Sequence, residues 1–256
     1  MSMEKAIQKH LEKVKSVMPN WETNLVGIFL YGSQNYNVFT NTSDVDTKAI
    51  YVPTLEQLAF GNNVDSTTLI LDNDEHCELM TISHFVNNLL KQNINFVEVM
   101  FTDYFWLNPR WEKEWMTMIQ PRESIARYSV KKTVVSICGQ ALHTLKQYDG
   151  TDGKKVANAL RMEYFLMKYL ERQKYLNCIK LEDSNLRDLI LQCKRNEKSP
   201  EFCQGIAEAC KAMFENYRNQ YLEEIDDSNN TVKDWLHQNA KKFILKGLYE
   251  YEMQNI

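Results

Sequence analysis

The chain has 256 residues, 44% of them hydrophobic and 25% charged, and a net charge of −4. That suffices for one large domain or two small ones and excludes wholesale disorder. The opening segment MSMEKAIQKHLEKVKSVM lacks the apolar stretch of a secretory leader, and no run reaches the ~18 apolar residues that suggest a membrane span. Six cysteines (Cys77, Cys138, Cys178, Cys193, Cys203, Cys210) form no CxxC pair and no zinc-type spacing, so reduced thiols in a cytoplasmic protein are expected.

Charge is uneven along the chain. Residues 1–120 carry 8 basic and 15 acidic side chains; residues 121–256 carry 22 and 19. Residues 127–174 alone hold 10 basic against 4 acidic. An acidic first half suits a cation site and a basic segment suits a polyanion.

In chain order, residues 3–18 read as an amphipathic helix with Ile7, Leu11, Val14 and Met18 on one face. Leu25–Tyr31 reads as a strand buried on both faces, because its apolar run does not alternate. Val45–Val52 reads as a second strand, stopped by Pro53. A short helix at 54–60, a loop at 62–67 and a turn at 72–74 are expected before a third strand, His76–Thr81. Ser83 is a suitable cap for a helix over 84–92. Phe96–Phe101 fits helix and strand equally. Trp106–Arg122, rich in tryptophan and proline, reads as a junction. Helices over 123–147, 154–173, 183–195, 200–224 and 231–252 follow. Strands and helices first and helices alone afterwards predict an α+β fold: a mixed sheet with flanking helices in domain 1–120, then an all-helical domain 121–256.

The most telling stretch is LVGIFLYGSQNYNVFTNTSDVDTKAIYV. A strand exits at Gly32-Ser33, and ten residues on, Asp44-Val45-Asp46 opens the next strand. Two acids one residue apart on a strand point to one face. They can share divalent ions and leave the other coordination positions to substrate phosphates, as nucleotidyl transfer requires. A third acid would complete the site. Glu78, in the short strand, is the candidate, and it could also take the acceptor's proton; Glu75, Asp74 and Glu98 are its rivals. Glycine at a sharp exit lets backbone N–H groups approach a phosphate. The Ser33 hydroxyl can donate to one, and a short helix starting near Ser33–Tyr36 would add a favourable field. Lys154, Arg161 and Lys168 recur every seven residues on one helical face, a basic stripe suited to a triphosphate or an RNA backbone.

These residues resemble the polymerase-beta nucleotidyltransferase superfamily, whose signature is Gly-Ser, a gap, then acid-x-acid. More narrowly, the chain is similar to the RlaP-type predicted nucleotidyltransferases associated with RNA repair. The shared features are Tyr36 after the turn and Ser43-Asp44-Val45-Asp46 before a strand ending in Pro53. Leu79–Glu98 is similar to that family's strand, helix and Asn-Pro-Asn…Glu stretch, and Gly153–Arg161 to its Gly-Lys…Arg helix. Gln34, Asn37 and Asn158 depart from it, standing where arginine, glycine and histidine are usual.

The resemblance implies a polymerase-beta-like sheet domain and transfer of a nucleoside monophosphate from a nucleoside triphosphate to a hydroxyl, an RNA end being favoured. It implies Mg2+ or Mn2+ on Asp44, Asp46 and Glu78, with nucleotide held by Gly32, Ser33, Lys154, Lys155 and Arg161. Two alternatives stay open: transfer to a protein or small-molecule hydroxyl, and a module that binds nucleotide or RNA without turnover.

Overall fold

The computed structural model describes residues 2–40, 43–60, 66–71 and 74–252. Five strands form one sheet: β1 Leu25–Tyr31, β2 Asp46–Tyr51, β3 Ser66–Ile70, β4 His76–Thr81 and β5 Phe105–Leu107. Their order is β3-β4-β2-β1-β5, with β2 and β4 parallel and the other neighbours antiparallel. The mixed sheet followed by helices is the α+β class that the order of patterns predicts.

β1 and β4 have the bounds read from sequence, and β2 starts at Asp46 rather than Val45. β3 and β5 fall where loop and junction are expected. Both are edge strands, and most β3 side chains face solvent, so neither carries a buried alternation. The expected loop at 62–67 and turn at 72–74 lie largely outside the described residues. Of the latter, Asp74 has φ 62° and donates its N–H to Leu71 O.

The helices are α1 Met3–Val17, α2 Trp21–Asn24, α3 Leu55–Phe60, α4 Ile82–Leu90, α5 Ile94–Val97, α6 Glu112–Ile119 and α7 Arg122–Ala126. Next come α8 Val130–Lys146, α9 Gly153–Leu170, α10 Tyr175–Ile179, α11 Ser184–Lys194, α12 Pro200–Leu222 and α13 Asn230–Gly247. Thr81, not Ser83, caps α4: its hydroxyl accepts from the His84 N–H at 3.1 Å, so β4 passes into helix without a loop. The ambiguous run Phe96–Phe101 becomes the end of α5 and a 3-10 turn over Glu98–Phe101. The expected helix 123–147 is broken between α7 and α8, where Ser129 caps α8 by accepting from the Lys132 N–H.

The sheet divides the apolar interior. Ile28, Ala49 and Cys77 on one face pack with Ile7, Leu11 and Val14 of α1. Phe29, Ile50 and Met80 on the other belong to a larger core that runs through the helices to Phe243. α1 is pinned to the sheet by His10, whose Nδ1 lies 2.7 Å from Thr47 Oγ1 and whose Nε2 lies 3.4 Å from Glu75 Oε2. Burial of the ring away from water lowers its pKa, against the opposing pull of Glu75. Asp46, Lys48 and Ile50 alternate along β2, so all three face the helical side. All six cysteines are buried and free. Among the described residues no helix is long and apolar enough to cross a membrane.

Candidate active site

The register of β1 and β2 builds the site. Tyr31, the last residue of β1, lies opposite Asp46, the first of β2. The Gly32 turn and the acid pair therefore emerge at the same end of the sheet. Gly32 has φ 97°, a conformation that side-chain-bearing residues rarely adopt, and it reverses the chain abruptly. Beyond it, Ser33–Asn37 forms a run of turns, closed by Asn35 N–H to Gly32 O and Val38 N–H to Ser33 O. No helix starts there, so a helix field at that point is replaced by single amides. Among the described residues the N–H groups of Ser33 and Gln34 have no partner. Asn37 has φ 61°, the left-handed region that asparagine tolerates better than most side-chain-bearing residues.

The turn is anchored from beneath. Glu98 is fully buried, and its Oε2 accepts from the Gly32 N–H and from Asn35 Nδ2, each at 3.3 Å. Burial raises the Glu98 pKa; Tyr36, Arg161, Asn35 and the Gly32 N–H pull it back down. Tyr36, also buried, is raised well above its ordinary value by burial first and by Glu98 second. The Arg161 guanidinium lies 3.8 Å from the centre of the Tyr36 ring, a cation–π contact. Arg161 is 8% exposed, and its NH1 meets no hydrogen-bond partner.

Asp44 precedes the strand, with Val45 buried and Asp46 opening β2, so the two acids share one side without both belonging to the strand. Gln34 ties the turn to this segment, donating from Nε2 to Asp44 O at 2.8 Å. Asp46 Oδ1 accepts from the His76 N–H at 3.1 Å.

A cavity of about 340 Å³ gathers these groups. Its walls include Gly32, Ser33, Asp44 and Asp46 from the sheet side, and Lys154, Asn158, Arg161 and Lys194 from α9 and α11. Lys154 Nζ stands 3.7 Å from Asp44 Oδ2. Lys194, which sequence reasoning missed, donates to Val38 O at 3.1 Å and to Ser43 Oγ at 2.9 Å. Burial lowers the Lys194 pKa, as does nearby Lys154, while Asp44 opposes.

Two expected site residues lie elsewhere. Lys155 does not line the cavity; its Nζ lies 3.3 Å from Gln147 Oε1 and 4.0 Å from Asp152 Oδ2. Glu78 does sit on a strand beside β2, as its proposed role requires, but in register with Lys48, whose ammonium it binds. It does not line the cavity. Among the described residues no three of His, Cys, Asp and Glu converge as a metal-binding group. Of the rival acids, Glu75 is committed to His10 and Lys9, Asp74 is exposed on a turn, and Glu98 is committed to the Gly32 turn.

A solved structure described as a nucleotidyltransferase-like protein from Exiguobacterium sibiricum 255-15 is similar over 93% of this chain and 91% of its own, at 14% identity and a TM-score of 0.33. No protein-family model and no curated protein matches the chain. The chemistry of the cavity is therefore read from its own geometry.

Proposed function

We propose that the chain is a metal-dependent nucleotidyltransferase. It would move a nucleoside monophosphate from a nucleoside triphosphate to an acceptor hydroxyl and release pyrophosphate. The observation that carries this is that Ser33, Asp44 and Asp46 line one cavity with Lys154, Arg161 and Lys194. Paired carboxylates facing a cluster of cations suit a polyanion that arrives with a divalent ion.

The donor set fits such an ion. Magnesium takes one or two carboxylates and fills its remaining positions with phosphate oxygens and water. Asp44 is 51% exposed and Asp46 31%, so both can offer oxygens to the cavity. When bound, Mg2+ or Mn2+ would supply charge neutralisation on the phosphates and a lowered pKa for the acceptor hydroxyl.

The chain's own groups do the rest. Ser33 Oγ and the unpartnered amides of Ser33 and Gln34 donate to phosphate oxygens. Lys154 and Lys194 offset the triphosphate charge, and Arg161, in cation–π contact with Tyr36, offers its NH1, which has no hydrogen-bond partner, to the same anion. Positioning of this kind is most of what phosphoryl-type transfer asks of a protein. The acceptor oxygen bonds to the α-phosphorus as the bond to the bridging oxygen breaks. Pyrophosphate leaves with that electron pair, and the acceptor's proton passes to bulk solvent.

An RNA end is the favoured acceptor, on the strength of the family resemblance and the basic lining contributed by α9 and α11. Incubation with α-labelled nucleoside triphosphates, Mg2+ or Mn2+, and separate pools of RNA, protein and small molecules tests this. Label on RNA is expected. Label on protein alone would exclude RNA as acceptor, and nucleotide binding without pyrophosphate release in any pool would leave only a binding module.

A further inference from the structure

Lys48 is among the largest fully buried side chains of the protein, at 2% exposure. A buried ammonium needs a counter-charge, and Glu78 is its ion-pair partner. The pair follows from backbone pairing: β2 and β4 are parallel, with Lys48 and Glu78 directly in register, so both side chains leave the same face of the sheet. Two rings hold the ammonium in place. Its Nζ lies 4.1 Å from the centre of Tyr31 and 4.1 Å from the centre of Phe96. Tyr31 is also a wall of the cavity that holds Asp44 and Asp46.

From this arrangement, and resting on the metal-dependent reading above, we infer that Lys48 withholds Glu78 from the cation site, so that Asp44 and Asp46 hold a divalent ion without a third carboxylate ligand. Glu78 is absent from the walls of the cavity that Asp44 and Asp46 line, and among the described residues no third acid joins those two. Lys48 is on this account a positioning residue. It keeps the third acid of this face paired, and it does so without touching substrate. Releasing Glu78 to a metal would strand the ammonium between two rings with no carboxylate partner, which is the costly outcome for a buried charge.

The test titrates Mn2+ into the full chain without nucleotide, which would itself chelate the ion, and follows the electron paramagnetic resonance of free Mn2+. Wild type is expected to bind Mn2+ through Asp44 and Asp46. Glu78→Gln should bind it with affinity within about twofold of wild type, as for a site outside the coordination shell. The double variant Lys48→Met/Glu78→Leu removes the acid without leaving a buried charge and should behave the same, which guards against misfolding of the single variant. A fall of about tenfold or more in either variant would overturn the inference. Wild type binding no ion, or binding untouched by Asp46→Asn, would instead overturn the acid-pair reading on which it rests.

Discussion

Replacement of Gly32 by alanine isolates the backbone of the candidate site from its packing. A Cβ added at Gly32 would meet nothing within 4 Å, so the substitution creates no clash. The cost is conformational: φ is 97°, and placing an L side chain in that region costs about 1–2 kcal/mol. Gly139, within α8, provides a matched control, since a Cβ there also meets nothing within 4 Å and its backbone is helical. There alanine should stabilise by about 0.5–1 kcal/mol through a less flexible unfolded chain and better helix propensity. For a chain of this length each kcal/mol moves the melting temperature by roughly 2–4 °C. Gly32→Ala should therefore melt about 2–8 °C below wild type and Gly139→Ala about 1–4 °C above it, followed by far-ultraviolet circular dichroism. Because the Gly32 N–H is held by Glu98 and the next amide belongs to Ser33, the same strain should weaken triphosphate binding in Gly32→Ala. Gly32→Ala melting at or above wild type, or both variants shifting equally in one direction, would refute the assignment of strain to this turn.

Other expectations concern the cavity walls and the acid beneath the turn. Lys194→Ala removes a charged donor to Val38 O and Ser43 Oγ and should weaken Mg2+–nucleotide binding by about tenfold or more in calorimetry, since such bonds contribute about 1.5–3 kcal/mol; unchanged affinity would remove Lys194 from the site. Lys154→Ala should weaken the same binding while Lys155→Ala leaves it intact, because only Lys154 lines the cavity; equal losses would contradict that placement. Glu98 has a raised folded-state pKa, from burial. Its stabilising contribution is thus complete below its ordinary value of 4.5 and is lost as pH rises through the folded value. The melting temperature of Glu98→Gln relative to wild type should therefore climb as pH rises above 4.5, and a flat difference would sink this account of Glu98.

How much of the fold is legible in the sequence depends on how strongly each segment's surroundings dictate its pattern. β1 is legible because it is buried on both faces and ends at a glycine with a forced turn. β4 is legible because it runs between a turn and a helix cap. β3 and β5 are edge strands with solvated faces, and nothing in their composition separates them from loop. The acid pair and Gly-Ser turn are visible as spacing, and the antiparallel register of β1 and β2 is what brings them together. Lys194 is not visible as a site residue, since it closes a helix 151 positions from the serine it binds. Lys48 leaves a faint signal, a cation two residues beyond Asp46 on an alternating strand, but only the register with Glu78 gives it meaning.

The most direct measurement of the central claim is pyrophosphate release from a panel of nucleoside triphosphates with total RNA and Mg2+ or Mn2+, comparing wild type with Asp44→Asn/Asp46→Asn. Release by wild type that needs the divalent ion and disappears in the double variant is predicted. Release that persists at the wild-type rate without the two carboxylates would contradict it.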